Sequence, residues 1–158
     1  MYREVYGKDA CRADIARALH NIGVSYHNMN EYVTAEEYYT QALTMNRKVY
    51  GEESNNETIA LTLRDLGDVK RQLKMYDEAE KTYQESLQMY RQIYGCDSNH
   101  RDIALVLALC ADDYRDEGEK EKAIAMYEES LLMYREVEPD HENVQLIIQD
   151  LKNLGVQV

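Results

Sequence analysis

MYREVYG, at residues 1–7, is the stretch that decides the fold, because close copies of it return at a fixed interval. The copies read MNRKVYG at 45–51, MYRQIYG at 89–95 and MYREVEP at 133–139, so each begins 44 residues after the previous one. A period of about 20–50 residues is typical of stacked supersecondary units. Such proteins bury apolar residues between neighbouring units rather than in one central core. The sequence therefore predicts a single array of repeats over residues 1–158.

Two apolar stripes in each row of 44 residues predict two helices. The first stripe, helix A, has Ile15, Leu19, Ile22 and Tyr26 at spacings of four, three and four residues, which place them on one helix face. The second stripe, helix B, follows about 16 residues later with Ala35, Tyr39, Ala42 and Leu43. The chain is predicted to begin with the tail of a helix B at 1–6 and to end with a helix A at 142–156. Between them, the predicted A helices are 13–29, 57–74 and 101–117, and the predicted B helices are 32–50, 76–94 and 120–137.

Helix breakers and capping residues lie between the stripes. Each helix B is predicted to end at a breaker: Gly7, Gly51, Gly95 or Pro139. Ser54, which has capping-box spacing to Glu57, is expected to start the second helix A, and Asp140 the fourth. Short connections predict antiparallel neighbours. Because the chain opens in a helix B tail and closes in a helix A, we expect it to be a segment of a longer array.

Charge and composition exclude several classes of partner. The chain has 30 acidic and 18 basic residues, a net charge of −12, which disfavours nucleic acid and anionic membrane surfaces. Its longest nearly apolar stretch, 103–111, is about half of a membrane span. Cys11, Cys96 and Cys110 form no CxxC pair, and residues 1–7 do not read as a signal peptide, so we expect a cytoplasmic protein.

The columns of the rows resemble the tetratricopeptide repeat, or TPR. Its pattern is a large residue, Leu-Gly and an aromatic residue in helix A, then small, aromatic and small residues in helix B. The matching residues are Leu19, Ile22, Gly23, Tyr26, Ala35, Tyr39 and Ala42 in the first row, and Leu63, Leu66, Gly67, Ala79, Tyr83 and Ser86 in the second. The resemblance implies an all-α, right-handed α-solenoid of antiparallel helix pairs. The closing Tyr-Gly and the Asp-Ile-Ala of 14–16 and 102–104 are similar to the long repeats of kinesin light chains.

The same resemblance implies a protein or peptide ligand in a concave groove, which is lined by helix A residues that point away from helix B. The predicted groove residues are Arg17, His20, Asn21, Val24, His27, Leu61, Arg64, Asp68, Arg71, Gln72, Leu105, Asp112, Arg115, Lys152 and Asn153. Asn21, Asn153 and Gln72 would hydrogen-bond a peptide backbone. The full groove columns also contain Asp65 and Asp116, so they hold five basic and four acidic residues. This excess of one would steer an acidic or mixed-charge segment through Arg64, Arg71, Arg115 and Lys152.

The leucines of the groove columns have two interpretations. Leu61 and Leu105 would anchor an apolar ligand side chain if they are exposed. Alternatively, Leu105 and Leu109 pack between successive A helices. Some TPR proteins hold a terminal carboxylate with a clamp of lysines, asparagines and an arginine, but His20, Val24 and Asp65 occupy such columns here, so we do not expect that ligand.

Catalytic and metal sites are not predicted. The sequence has neither GxGxxG nor a phosphate-binding loop pattern, and no Ser/His/Asp arrangement stands out, so we expect neither an enzyme nor a cofactor. The carboxylates at 112–117 are interpreted as a solvated acidic face, and Cys96 with His100 supplies too few ligands for a metal. The leading hypothesis is a protein-interaction module. The alternative is a structural spacer or self-association element of a larger scaffold, in which apolar stripes at the array ends meet other copies.

Overall fold

The computed structural model describes residues 7–52, 54–96 and 98–158, and every regular element in these ranges is an α-helix. The helices are α1 Gly7–Asn28, α2 Tyr32–Tyr50, α3 Glu57–Gln72, α4 Tyr76–Tyr94, α5 Arg101–Glu117, α6 Lys120–Val137 and α7 Glu142–Asn153. The all-α prediction is confirmed, since helices A and B alternate along the described chain. Within these ranges, no helix combines the length and the apolar composition that crossing a lipid bilayer requires.

The first helix starts earlier than the sequence pattern predicts. Helix α1 already includes Gly7 and runs without a break through residue 13, where the prediction began. The assignment of Gly7 as the end of a helix B is therefore wrong, and the predicted tail at 1–6 lies outside the described residues. At the other end, α7 stops at Asn153, three residues before the predicted end at 156.

Helices α3 and α7 begin at capping residues other than the predicted ones. Asn56 Oδ1 accepts a hydrogen bond of 2.9 Å from the backbone N–H of Thr58, so Asn56 and not Ser54 starts α3. In the fourth row, His141 and not Asp140 starts α7, because its Nδ1 accepts from the N–H of Asn143 at 3.1 Å. His100 occupies the same place before α5. Histidine here does what Ser, Thr, Asn or Asp usually does.

Glycines follow α2 and α4, the B helices of the first and second rows, as predicted. Gly51 and Gly95 have φ of 100° and 105°, a region that residues with a side chain rarely adopt. The turns from A to B use the same region at Asn30, Lys74 and Gly118, with φ of 60°, 62° and 95°. These turns reverse the chain within a few residues and bring each B helix back along its A helix.

The chain divides into two compact units, Met1–Met89 and Tyr90–Val158. In unit 1, α1 packs against α2 and α3, and α2 also packs against α3. In unit 2, α5 packs against α6 and α6 against α7. A cluster in unit 2 joins Tyr127, Leu131 and Tyr134 of α6 to Ile147 and Leu151 of α7. Apolar side chains thus lie between successive helices, as expected for repeats.

Small residues bring helices A and B of one row close together. A Cβ atom added to Gly67 would lie 2.7 Å from the ring of Tyr83, and one added to Gly23 would lie 2.8 Å from the ring of Tyr39. The hydroxyl of Ser86 donates to the backbone carbonyl of Ala60 at 2.7 Å, so the two backbones approach within one small side chain. This confirms the predicted role of the Leu-Gly and small-residue columns.

Candidate functional site

Three helices of unit 1 surround an open depression with a volume of about 340 Å³. Its lining residues are His20, Val24 and His27 of α1, Tyr39 of α2, and Leu61, Arg64, Asp65 and Asp68 of α3. The successive A helices, α1 and α3, supply seven of these side chains. The depression therefore lies on the helix A face, where the sequence pattern placed the groove.

Asp65 bonds to two neighbouring side chains, and together with Asp68 and their partners it forms the polar wall of the depression. Its Oδ2 accepts a hydrogen bond from Nε2 of His20 at 3.0 Å, and its Oδ1 accepts one from Nε of Arg64 at 2.8 Å. Burial alone would raise the pKa of Asp65, but the hydrogen bond from His20 and the charge of Arg64 outweigh it and hold that pKa below its usual range. Asp65 is therefore ionised at neutral pH and joins α1 to α3.

Asp68, one turn further along α3, lies close to a histidine and an arginine in a similar way, but the geometry of its contact with His27 is not that of a hydrogen bond. Its Oδ2 lies 3.0 Å from Nε2 of His27, and its Oδ1 accepts from Nη2 of Arg71 at 2.8 Å. Two aspartates thus face two arginines, and their formal charges cancel when both histidines are neutral. Arg64 and Arg71 are engaged within the wall, so the excess of positive charge expected from the groove columns is offset at this position.

Tyr39 closes the inner side of the depression. Its ring lies against Gly23 and tilts against the His20 ring at 5.2 Å between centroids. Burial, and then the negative charge of Asp65, raise the pKa of the Tyr39 hydroxyl, which stays protonated under ordinary conditions. The sequence pattern predicts only a packing role for Tyr39. In the structure, Tyr39 also lines the depression.

The other predicted groove residues of unit 1 are not among the lining residues of the depression. Arg17 and Asn21 are exposed on α1, and Arg17 pairs with Asp14 at 2.7 Å. Gln72 is half-buried at the end of α3. Asp65 belongs to a predicted groove column, but its links to His20 and Arg64 were not foreseen. His20 and Asp65 are 45 residues apart, which is one repeat period plus one residue. Residues at that separation lie near each other on neighbouring A helices, so the period could have predicted the contact between His20 and Asp65.

In unit 2 the predicted groove residues are engaged with one another. Nη1 of Arg115 lies 2.9 Å from Asp112 and 3.3 Å from Asp150, and it donates to the Tyr127 hydroxyl at 2.8 Å. That hydroxyl donates in turn to Asp112. The interpretation of 112–117 as a solvated acidic face is wrong for Asp112, which is held in this network, and for Asp113, which is buried.

The leucine and C-terminal positions of unit 2 differ from the predicted anchors. Leu105 packs against the core cluster of α6 and α7, which favours the packing interpretation over the ligand anchor. Lys152 and Asn153 are exposed, and Asn153 accepts a hydrogen bond from Gln149 at 2.9 Å. Lys152 lines a separate surface depression with the residues from 155 to 158.

A comparison with protein families identifies the repeat. The tetratricopeptide repeat model matches residues 14–92 and again 58–136, two overlapping stretches that together cover most of the chain. The chain belongs to the tetratricopeptide repeat family. The register of both matches starts within a helix A, as the columns of the 44-residue rows require. A comparison with curated proteins gives no match.

Solved structures show the same TPR fold at low sequence identity. BtubC (BKLC) from P. vanneervenii superposes with a TM-score of 0.77 at 19% identity, over 88% of this chain and 54% of that one. The nearly identical TPR-like repeats of a kinesin light chain-type protein from Podospora anserina give 0.76 at 14%, over 90% and 66%. The Arabidopsis OM64 TPR domain gives 0.65 at 13%, over 90% and 98%. The chain thus spans about half of BtubC, and its TPR fold is similar to kinesin light chain-like repeats.

Proposed function

We propose that this TPR protein is a protein-interaction module that binds a peptide segment in the depression of unit 1. The observation that carries the proposal is the wall itself, in which His20, Arg64 and Asp65 are held in one hydrogen-bonded arrangement beside an open volume of about 340 Å³. That volume is near the lower end of the range for ligand sites, about 300–1,000 Å³. Membership of a repeat family whose members act as scaffolds supports the proposal.

The fixed wall favours binding because its side chains are already ordered. Each immobilised flexible side chain costs about 0.5–1.5 kcal/mol on association. Arg64 and Arg71 have two of the most flexible side chains, and bonds to Asp65 and Asp68 hold both. A ligand that meets them therefore loses less free energy to ordering than it would on an unpaired basic surface.

The lining also indicates what the ligand offers. Val24 and Leu61 are half-buried and give the depression an apolar part, while the paired charges give it no formal excess. We propose a segment of mixed charge with one apolar side chain seated between Val24 and Leu61. Its backbone would bond to Asn21 and Gln72 at the edges. The odd number of cysteines and the absence of a CxxC pair support a cytoplasmic setting for this encounter.

A peptide library displayed against the full chain tests the proposal. The best binding peptides would be labelled and titrated by fluorescence anisotropy against wild type and Leu61→Ser. Loss of the apolar contact in a half-buried site should weaken binding by about tenfold, which corresponds to about 1.4 kcal/mol. The matched control is Leu132→Ser, which removes an exposed leucine from α6 in unit 2.

The outcome separates the interaction module from the structural spacer. If Leu61→Ser binds the selected peptides as tightly as Leu132→Ser does, the depression is not the binding site. If no peptide from the library binds the wild type, the spacer hypothesis is favoured instead. Circular dichroism of both variants checks that each remains folded.

A further inference from the structure

The depression of unit 1 contains two histidines, each of which faces an aspartate of the neighbouring A helix. Nε2 of His20 donates a hydrogen bond to Oδ2 of Asp65 at 3.0 Å. Nε2 of His27 lies 3.0 Å from Oδ2 of Asp68. Only 11% of the His20 side chain and 29% of the His27 side chain are exposed, so a change in the charge of either ring acts inside the wall.

His27 differs from His20 because one of its ring nitrogens is buried without a hydrogen bond. No hydrogen-bond partner of His27 Nε2 lies among the described residues, although the Asp68 carboxylate is close. A proton on His27 would make this contact an ion pair, whose energy depends on distance more than on angle. His27 also lies in the last turn of α1, where the helix dipole stabilises a positive charge.

The columns of the two histidines hold arginines one row later. His20 and His27 lie 44 residues before Arg64 and Arg71. Each aspartate thus lies between two residues of one column, with Oδ2 toward the histidine and Oδ1 toward the arginine. An arginine is always charged, whereas a histidine changes its charge between about pH 5 and 8. The positive charge of these columns is therefore permanent in α3 and depends on pH in α1.

Helix α2 faces the histidines with aromatic rings. The ring of Tyr39 tilts against His20 at 5.2 Å between centroids, and the ring of Tyr32 tilts against His27 at 5.6 Å. Tyrosine rings have no formal charge at neutral or acidic pH. Burial raises the pKa of the Tyr39 hydroxyl further. Helix α2 therefore contributes apolar contact at both histidines and no opposing formal charge from these rings.

The charged groups of α3 and α1 beside the histidines are already paired. In α3, each aspartate forms an ion pair with an arginine of its own helix, so their formal charges cancel. On α1, Arg17 lies one turn before His20 and pairs with Asp14 at 2.7 Å. Burial alone would raise the pKa of Asp65, but the hydrogen bond from His20 and the charge of Arg64 hold it below its usual range, so this carboxylate stays ionised in mild acid. Protonation of both histidines therefore changes the formal charge of the wall from zero to +2.

We propose that the depression between α1 and α3 binds an acidic peptide segment, and that it does so more tightly as the pH falls and His20 and His27 become protonated. The proposal rests on the proposed function, since it concerns the same site and specifies its ligand and its regulation. A Glu or Asp side chain of the ligand stays ionised down to about pH 4.5 and would face the two protonated rings. The apolar side chain of the ligand stays between Val24 and Leu61 at every pH.

Selection from a histidine-free peptide library tests the proposal with the full chain at about pH 5.5 and about pH 7.5. We expect the peptides selected at the lower pH to contain more Asp and Glu. The best of them would be labelled and titrated by fluorescence anisotropy beside a copy in which Asn and Gln replace its Asp and Glu. The acidic peptide should bind about fivefold more tightly at the lower pH, which corresponds to about 1 kcal/mol, and the neutral copy should change by less than about twofold.

Three variants assign the effect to the two histidines. In the double variant His20→Gln with His27→Gln, the affinity for the acidic peptide should change by less than about twofold between the two pH values. His27→Arg, which places the residue of the next row in this column, should raise that affinity about threefold at about pH 7.5. The matched control is His100→Asn, because Asn56 occupies the same column before α3 and also caps its helix. This control should keep the full pH dependence of wild type.

Equal binding of the acidic peptide at both pH values would overturn the proposal. So would a double variant that keeps the pH dependence of wild type while circular dichroism shows it folded. If the double variant does not fold, His27→Arg decides, and an unchanged affinity at the higher pH overturns the proposal. Failure of the proposed function gives a different result, because Leu61→Ser would then bind the selected peptides as tightly as Leu132→Ser at both pH values.

Discussion

Gly67→Ala is the substitution whose effect the packing of helices A and B determines most directly. In an isolated helix, exchange of Gly for Ala stabilises by about 1 kcal/mol. Here the new Cβ would lie 2.7 Å from two carbon atoms of the Tyr83 ring, whereas carbon atoms in contact are about 3.5–4.0 Å apart. The ring would have to move by about 1 Å. Because Tyr83 is fully buried, such a movement also displaces α4 from α3.

The two effects can be compared in size. Overpacking of a well-packed core costs about 1–3 kcal/mol, against about 1 kcal/mol of helix propensity gained. We therefore expect Gly67→Ala to lower the free energy of unfolding by up to about 2 kcal/mol. The contact that breaks would include the hydrogen bond from Ser86 to the carbonyl of Ala60, since both lie in the same narrow interface.

Urea denaturation followed by circular dichroism measures the change, and a second background isolates its cause. In Tyr83→Leu, the ring is absent, so adding Gly67→Ala should raise the denaturation midpoint instead of lowering it. The sign of the effect should thus differ between the two backgrounds. If Gly67→Ala raises the midpoint of the wild type by the full propensity gain, the close approach of the two helices is not a constraint and the reasoning is refuted.

Three further predictions concern buried polar groups. Ser86→Ala should lower the free energy of unfolding by about 0.5–1.5 kcal/mol in urea, as expected for one hydrogen bond, and an unchanged midpoint would contradict this. Asn46→Leu should raise it by about 1 kcal/mol, because the amide nitrogen of Asn46 is buried without a hydrogen-bond partner among the described residues; a lower midpoint would contradict this. Asp65 has a lowered pKa, so its stabilising effect is complete above the unfolded value of about 3.9 and is lost as the pH falls through the folded pKa. The stability difference between wild type and Asp65→Asn should therefore be largest near neutral pH and shrink below about pH 4, and a difference independent of pH would contradict the assignment.

Most helix bounds could be predicted because the same columns recur in every row. The predicted bounds of α2, α4, α5 and α6 agree with the structure, since Gly51 and Gly95 follow α2 and α4 and Pro139 lies just beyond α6. The other A helices differ at one end or both, and α3 ends at Gln72, two residues before the predicted 74. The failure at α1 has a local reason. Asn56 and His100 cap α3 and α5, whereas the same column of the first row holds Arg12, which has no side-chain acceptor. Without a cap at that point, the helix extends back to Gly7.

The position of the depression could be predicted from the sequence, but the bonds among its side chains could not. His20, Val24 and Leu61 belong to the helix A columns that were predicted to line the groove, and all three line one depression. The helical period alone places them there, because it determines which residues share a helix face. The columns do not report which side chains bond to one another. The sequence alone therefore predicts free arginine charges, whereas in the structure Arg64 and Arg71 are paired with Asp65 and Asp68. Side-chain pairing depends on rotamers and on the distance between helices, which the period does not specify.

The four rows share the columns that pack the helices and differ in the columns that carry polar side chains. The columns of Ile59, Leu63 and Tyr83 carry packing, so they vary little from row to row. The column of His20 holds a different residue in each row, and the column of Asp65 holds Asn21, Asp65, Leu109 and Asn153. In α5 the two columns hold Ala108 and Leu109, which are half-buried and cannot form such a bond. A polar, hydrogen-bonded wall therefore exists between α1 and α3 but has no counterpart at these columns of α5. Because exchange of these side chains leaves the packing columns intact, the polar side chains of the A helices can change row by row without loss of the fold. Under the proposed function, a ligand that depends on His20 and Asp65 would be recognised by unit 1.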